Sequence, residues 1–370
     1  MTDRILITGG AGFVGSHLAD QLLRAGYRVR VLDDLSDQVH GTQGWPRYLD
    51  PRVERIWADI REPSKVAEAL QGVDAVYHFA AKVGVGQSMY QIEHYTDVNN
   101  RGTAILLQAL IQHPVKKLIV ASSMSLYGEG LYRTSEGATL SPPERSGNQL
   151  RSGQWELLRG NEKLRPVATP ETKMASPSSI YALSKYDQER LCLMVGEAYK
   201  IPTTALRFFN IYGPRQALSN PYTGVLAIFS SRLLNNRSPI LFEDGNQRRD
   251  FVSVHDVARA CVLALESEAA NGEVFNIGSG QNFTIKEIAD KIAKILGKSD
   301  IEAEITGEYR VGDIRHCFAD IDKAKARLDY RPRVAFEDGL QELAEWLEEQ
   351  QAEDSVDIMR SELSSRGLSL

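Results

Sequence analysis

Near its start the chain reads Thr8-Gly9-Gly10-Ala11-Gly12-Phe13-Val14-Gly15, and few folds accept such a run. It follows the apolar Ile5-Leu6-Ile7 and opens a helix-like stretch from Ser16 to Leu23. The register Gly10-x-Gly12-x-x-Gly15 fits the turn that joins a parallel strand to a helix over a dinucleotide. A side chain there would block the tight turn, the approach of a pyrophosphate, or the packing of helix on strand. The phosphates then meet free N–H groups at the positive end of the helix dipole. The cofactor-binding residues expected from this loop are Gly9, Gly12, Phe13, Val14 and Gly15.

A second strand-like run from Tyr27 to Leu32 ends at Asp33-Asp34. An acid about 20 residues beyond the glycines is where the adenine-ribose hydroxyls of NAD are held. The Asp33 carboxylate would repel a ribose 2′-phosphate and no arginine follows it, which favours NAD over NADP.

The 370 residues suffice for one large α/β domain or two domains sharing a core. A net charge of −6 supplies no attraction for nucleic acid or an anionic membrane. No apolar run approaches a membrane span, and the first strand begins too early for a signal peptide, so a cytoplasmic protein is expected. Cys192, Cys261 and Cys317 are scattered without metal-ligand spacing, which predicts buried free thiols and no metal.

Strand-like runs at 5–8, 28–32, 53–58, 75–78 and 117–121 alternate with helical ones at 14–25, 64–69 and 99–113. Such alternation predicts an α/β fold with a doubly wound parallel sheet that binds ligands at the carboxyl ends of its strands. From 129 to 178 the pattern lapses into a polar stretch with prolines and glycines, read as a functional flap or insertion. A helix is predicted over 179–200, a strand over 203–208 and a turn-rich module over 214–250. Helices at 256–267 and 284–296 flank a strand at 274–277, and a polar tail is expected to be peripheral.

Tyr181-Ala182-Leu183-Ser184-Lys185 places Tyr181 and Lys185 on one face of the predicted helix. Tyrosine titrates near 10, too high for an efficient base at neutral pH. A lysine ammonium close by, with a cationic nicotinamide ring, would favour the phenolate. Lys185 is also placed to hold the nicotinamide ribose.

With these residues the chain resembles the extended short-chain dehydrogenases/reductases of the NAD-dependent nucleotide-sugar epimerase/dehydratase family. The resemblance runs from Arg4 to about Leu347, apart from the polar insertion. It rests on the glycine loop, Asp59-Ile60, His78-Phe79-Ala80-Ala81, Asn99-Asn100-Arg101-Gly102-Thr103, Ser122-Ser123 before Tyr127-Gly128, and Tyr181/Lys185. It continues through Leu206-Arg207-Phe208-Phe209-Asn210-Ile211-Tyr212-Gly213-Pro214 and Arg249-Asp250-Phe251-Val252. The resemblance implies a Rossmann-type sheet with a smaller C-terminal α/β lobe that binds the nucleoside diphosphate. It implies that Asp59 and Ile60 flank the adenine, that Ala80 and Ala81 line the cofactor path, and that Asn99 supports the catalytic helix at the cofactor site. Ser123, Tyr181 and Lys185 become the catalytic residues. Ser123, Ser125, Asn210, Arg249, Arg310 and Asp313 become substrate contacts, the arginines because a planar guanidinium pairs bidentately with phosphate. The chain then divides into a Rossmann domain over 1–212 and a lobe over 213–350. About 251–277 returns to the core, and 351–370 forms the tail. Relatives pair as homodimers through a four-helix bundle, here 99–113 and 179–200.

In this family sugar 4,6-dehydratases carry an Asp-Glu pair after the catalytic Ser/Thr, and uronate decarboxylases keep a Glu. Here Met124-Ser125 offers neither carboxylate, which leaves a redox-neutral 4-epimerisation. The insertion, the segment 219–225 and Phe242-Glu243-Asp244-Gly245 are most similar to epimerases of a 6-deoxy sugar, implying dTDP-L-rhamnose as substrate. A UDP-hexose, a UDP-uronate, or reduction of a nucleotide 4-ketosugar by NAD(P)H are the alternatives.

Overall fold

The computed structural model describes residues 3–41, 44–142, 144–217, 224–310, 312–348 and 356–369. Seven strands form its central sheet: β1 (Arg4–Thr8), β2 (Arg28–Asp33), β3 (Glu54–Trp57), β4 (Ala75–His78), β5 (Lys117–Ser123), β6 (Thr203–Phe208) and β7 (Val274–Ile277). Their order is β7-β6-β5-β4-β1-β2-β3, and every pairing is parallel. The longer crossover helices cover both faces of the sheet, so the central strands are buried on both sides. β5 is accordingly buried at every position.

Alternation along β1 distributes its side chains to two cores. Ile5 and Ile7 pack with Leu18 and Leu22 of α1 (Phe13–Arg24) on one face, while Leu6 packs on the other with Leu106, Leu107 and Leu110 of α2 (Gly102–Gln112). α3 (Ile180–Tyr199) covers the second face through Cys192, and α4 (Val254–Glu266) covers the first through Val257 and Ala260. The three cysteines are free and buried. Strand order reverses between β1 and β4, and the crevice beyond their carboxyl ends is where a doubly wound sheet takes its ligand.

The C-terminal lobe has its own core, built from Tyr212, Phe229, Phe251, Ile288, Phe336 and Leu340 with their neighbours. It includes a helix at Val225–Leu234 inside the module read from sequence as turns. Its apolar residues run nearly continuously, so no polar face marks it as helical. Segment 219–223 lies outside the described residues, as does Val311. The tail is not peripheral. Its helix Val356–Ser365 buries Val356, Met359 and Leu363 against Ile240, so three apolar residues at helical spacing outweigh the polar composition.

The insertion is folded. Leu131–Arg133 pairs with Thr139–Leu140 and Arg165–Val167 in an antiparallel sheet, Leu158–Arg159 pairs with Glu162–Lys163, and Tyr132, Leu157 and Leu164 form a small core. Strands of two or three residues are too short for alternation to be read from sequence. Among the described residues, no helix is long and apolar enough to cross a membrane.

Candidate active site

A cleft of about 480 Å³ lies beyond the carboxyl ends of the strands. Every cofactor residue expected from the glycine loop lines it, as do Asp33, Asp59, Ile60, Ala80 and Ala81. Gly9 has φ +70°, and a Cβ there would lie 2.8 Å from the Ala80 nitrogen. At Gly15 a Cβ would lie 2.6 Å from the Gly9 carbonyl oxygen. Gly12 is open, with its nearest atom at 3.4 Å, so an added Cβ would occupy cofactor space rather than protein. Gly10 differs from expectation. Its Cβ would lie 2.5 Å from Val31 Cγ2, so this glycine keeps the loop against β2, and the cleft is lined in the spacing Gly9-x-x-Gly12-x-x-Gly15. No side chain caps the N-terminus of α1, leaving its N–H groups and dipole for a pyrophosphate.

Asp33 also supports the loop. Its carboxylate accepts hydrogen bonds from the backbone N–H groups of Ala11 (2.9 Å) and Leu35 (3.0 Å), and burial raises its pKa. Asp59 is clamped by Arg61 at 2.9 and 2.5 Å, and Arg61 reaches on to Asp97 at 2.6 Å. The side-chain hydrogen bonds from Arg61 hold the Asp59 carboxyl below its ordinary range.

The expected catalytic residues meet at the end of β5. Ser123 ends that strand, and Tyr181 and Lys185 project from α3, whose N-terminus is capped by Ser179 accepting from Ala182 N at 3.1 Å. Ser125 donates to Ser123 Oγ through its hydroxyl (2.8 Å) and its backbone N–H (3.2 Å). With its acceptor side engaged, the Ser123 hydroxyl has its own proton to give. Burial pushes the Tyr181 phenol up, and its hydrogen bond with Ser123 opposes that. Lys185 does not make the difference the one-turn spacing predicts. Its ammonium donates 2.7 Å to Gln188 Oε1, and burial draws it down to about 8. A shared helix face places the two residues together without bringing their head groups into contact.

Gln188 continues a buried relay that sequence reading missed. It donates 2.8 Å to Thr103 Oγ1, which lies 2.8 Å from His78 Nε2, and His78 Nδ1 lies 2.9 Å from Thr8 Oγ1. Thr8 Oγ1 in turn accepts from the N–H groups of Phe79 and Ala80. Burial draws His78 down to about 3, so it stays neutral. The clues were at hand in the motifs holding His78 and Thr103. Asn99 lies outside the cleft lining. It occupies a π-helical turn, Asp97–Arg101, and donates 2.9 Å to Ser184 Oγ beneath α3, so it supports that helix from behind.

Of the expected substrate contacts, Ser123, Ser125 and Asn210 line the cleft. Arg249, Arg310 and Asp313 form a separate group in the lobe. Arg310 donates to Asp313 Oδ2 at 2.7 and 3.1 Å, and Arg249 lies 3.5 Å from Asp313 Oδ1. Two guanidiniums on one carboxylate leave a positive charge over. Among the described residues, the carboxylates lining the cleft are Asp33, Asp34 and Asp59, all at or just past the ends of β2 and β3 and across the sheet from Tyr181. Met124, Phe208 and Phe209 give apolar surface near Ser123.

A glycine turn under a parallel sheet, an acid after β2 and a Ser/Tyr/Lys set at the end of β5 define a nicotinamide-dependent enzyme of redox chemistry. The chain belongs to the NAD dependent epimerase/dehydratase family, whose model matches residues 5–149 and 160–278. NAD is its cofactor. It is 35% identical to the dTDP-L-rhamnose 4-epimerase of Burkholderia thailandensis, over 93% of this chain and 94% of that one. The UDP-glucose 4-epimerase of Thermotoga maritima, solved with UDP-glucose, superposes with a TM-score of 0.77 at 31% identity, over 93% of this chain and 98% of that one. The UDP-glucuronic acid 4-epimerase of Bacillus cereus, solved with UDP-glucuronic acid and NAD, gives 0.76 at 31% identity, over 93% and 99%.

Proposed function

We infer that this NAD-dependent nucleotide-sugar 4-epimerase inverts C4 of dTDP-L-rhamnose through a transient 4-keto sugar. The observation that carries the reading is the composition of the cleft around Tyr181. Ser123 and Tyr181 can move a proton at the sugar 4-hydroxyl, while no described lining carboxylate stands at that end to eliminate water or assist decarboxylation. The apolar surface of Met124, Phe208 and Phe209 suits a C6 methyl better than a hydroxyl or carboxylate. The similarity to the Burkholderia thailandensis enzyme supports the same substrate.

Tyr181 takes the proton of the 4-hydroxyl, and Ser123 donates to the same oxygen as its charge develops. NAD, when bound, would supply the acceptor and then the donor of the C4 hydride and, through its nicotinamide ring, the positive charge that favours the Tyr181 phenolate, while Lys185 would hold the nicotinamide ribose. Arg249 and Arg310 hold the diphosphate, Asp313 orients both arginines, and Asn210 contacts the substrate from the junction of the lobes. The tether lets the keto sugar turn its other face before Tyr181 returns the proton. Proton NMR of the purified protein with dTDP-L-rhamnose and no added nicotinamide should show a new anomeric signal growing to a constant ratio. Conversion of UDP-glucose or UDP-glucuronate instead would move the substrate to those sugars. Stoichiometric oxidation of added NADH by a nucleotide 4-ketosugar would make the enzyme a ketosugar reductase.

A homodimer is the proposed assembly. Leu183 and Met194 lie three turns apart on one face of α3, and both are exposed. Light scattering should give about twice the chain mass, and Leu183→Glu with Met194→Glu should halve it. A wild type that runs as a monomer sinks the proposal.

A further inference from the structure

The sequence left open whether this segment is a functional flap or an insertion, and none of its described residues lines the cleft. Many of its contacts go to one stretch of the C-terminal lobe between Gly312 and Asp320, and others to the sheet domain, where Glu171 accepts 2.8 Å from Asn276 N and Lys173 donates 2.7 Å to Tyr127 O. Glu129 accepts from both the Arg315 N–H (2.7 Å) and the His316 N–H (3.1 Å), while Gly130 N donates 2.8 Å to His316 O. Arg145 donates to Asp313 O at 3.1 Å and to Glu243 at 2.7 Å. On the returning limb, Thr169 pairs through its backbone with Phe318 (2.8 Å) and Asp320 (3.1 Å), and Ser178 Oγ donates 3.0 Å to Gly312 O. The Arg315 guanidinium is fully buried between Glu156 of the insertion (2.7 Å) and Glu243 and Asp244 of the lobe (2.8 and 2.6 Å).

On its other side the same stretch receives Arg249, whose guanidinium donates to the carbonyls of Ile314 and Arg315. The stretch therefore lies between the insertion and Arg249, and it carries Asp313, which joins Arg249 to Arg310. We propose that the insertion is a brace, with Glu129 and Glu156 as positioning residues that fix the stretch 312–320 and through it the arginine pair that holds the substrate diphosphate. The inference rests on the diphosphate role given to Arg249 and Arg310 above. Its physical basis is that two backbone N–H groups on one carboxylate, and a buried guanidinium between three carboxylates, each admit one arrangement at low energy. A small displacement of the stretch would carry both guanidiniums off the phosphate oxygens.

The test is calorimetry of dTDP, and in parallel UDP, binding to the NAD-loaded protein with Glu129→Gln and with Glu156→Gln. Each variant is expected to raise the nucleotide Kd at least about tenfold, with NAD content and kcat at saturating sugar close to wild type and KM raised in step with Kd. A merely structural role would lower NAD content and kcat as well. An unchanged Kd in a variant that melts near the wild-type temperature overturns the brace. Should both glutamate variants fail to fold, Ser178→Ala decides, because it removes only one hydroxyl from the Gly312 carbonyl. A rise of about threefold supports the brace and no change overturns it. A wild type that binds nucleoside diphosphate but turns over no nucleotide sugar would sink the functional reading and leave the brace to be judged by Kd alone. One that binds neither dTDP nor UDP overturns both.

Discussion

Replacing Tyr181 by Phe is expected to reduce kcat by about 10²–10⁴-fold, the range associated with a positioned acid–base group, while the protein retains NAD. The substitution removes only the phenolic oxygen. The ring keeps its place at the start of α3, where Tyr181 N donates 3.0 Å to Ser88 Oγ and the Ser179 cap is undisturbed. Lys185, the glycine loop and Asp33 are untouched, so cofactor binding should persist. Single-turnover measurement with the NAD-loaded variant, alongside quantification of bound nucleotide, checks both halves. Turnover within about tenfold of wild type would remove Tyr181 from the catalytic role.

Acidification from pH 7.5 to 5 is expected to weaken the fold by several kcal/mol. Burial draws His17 and His78 down to about 3 and His316 to about 4, against an ordinary value of 6.5. Between those values and 6.5 the folded chain binds fewer protons than the unfolded one. The stability these histidines contribute is therefore complete above pH 6.5 and is lost as pH falls through 6.5 towards 4. At pH 5 each costs about 1–2 kcal/mol, against a total stability of about 5–15 kcal/mol for a typical fold. Asp250 acts in the opposite sense. Burial raises it to about 6, so below that pH the folded state takes up a proton and gains, and Asp33, Glu171 and Glu243, also raised by burial, act the same way and offset part of the loss. Urea midpoints at the two pH values provide the check, and an unchanged midpoint would contradict the neutral state of the histidines. The His78 imidazole should show no titration in NMR between pH 7.5 and 5.

Both predictions depend on residues that sequence reading treated unequally. Tyr181 was legible because helical spacing and a glycine turn each depend on residues a few positions apart. The first five sheet strands and the helices following the first, third and fourth of them were legible for the same reason, while the short helices Asp37–His40, Val85–Ser88 and Ile92–Thr96 were not. His78 stood inside a motif, yet its burial and its neutral state follow from packing against Thr8, Thr103 and Gln188. The role of Gly10 could not be told from that of Gly9 by spacing alone, because two overlapping glycine registers occupy the same turn. The fold decided it, by placing Val31 beneath Gly10.

The insertion shows the same division on a larger scale. Its composition marked it as separate from the sheet, but its strands are too short to show a period and its partners are remote. Glu129 and Arg315 are separated by 186 residues, and Asn99 and Ser184 by 85. Sequence by itself determined the parallel sheet, the nicotinamide site at its carboxyl edge and the shared helix face of Tyr181 and Lys185, because each is written in neighbouring residues under strict steric demands, while Ser123 came in through the family resemblance. Only the tertiary structure decided that Lys185 turns to Gln188, that Asn99 lies outside the cleft lining and that the insertion grips the lobe. Those outcomes depend on which distant polar groups are buried together, and a buried polar group must take whatever partner the topology brings to it.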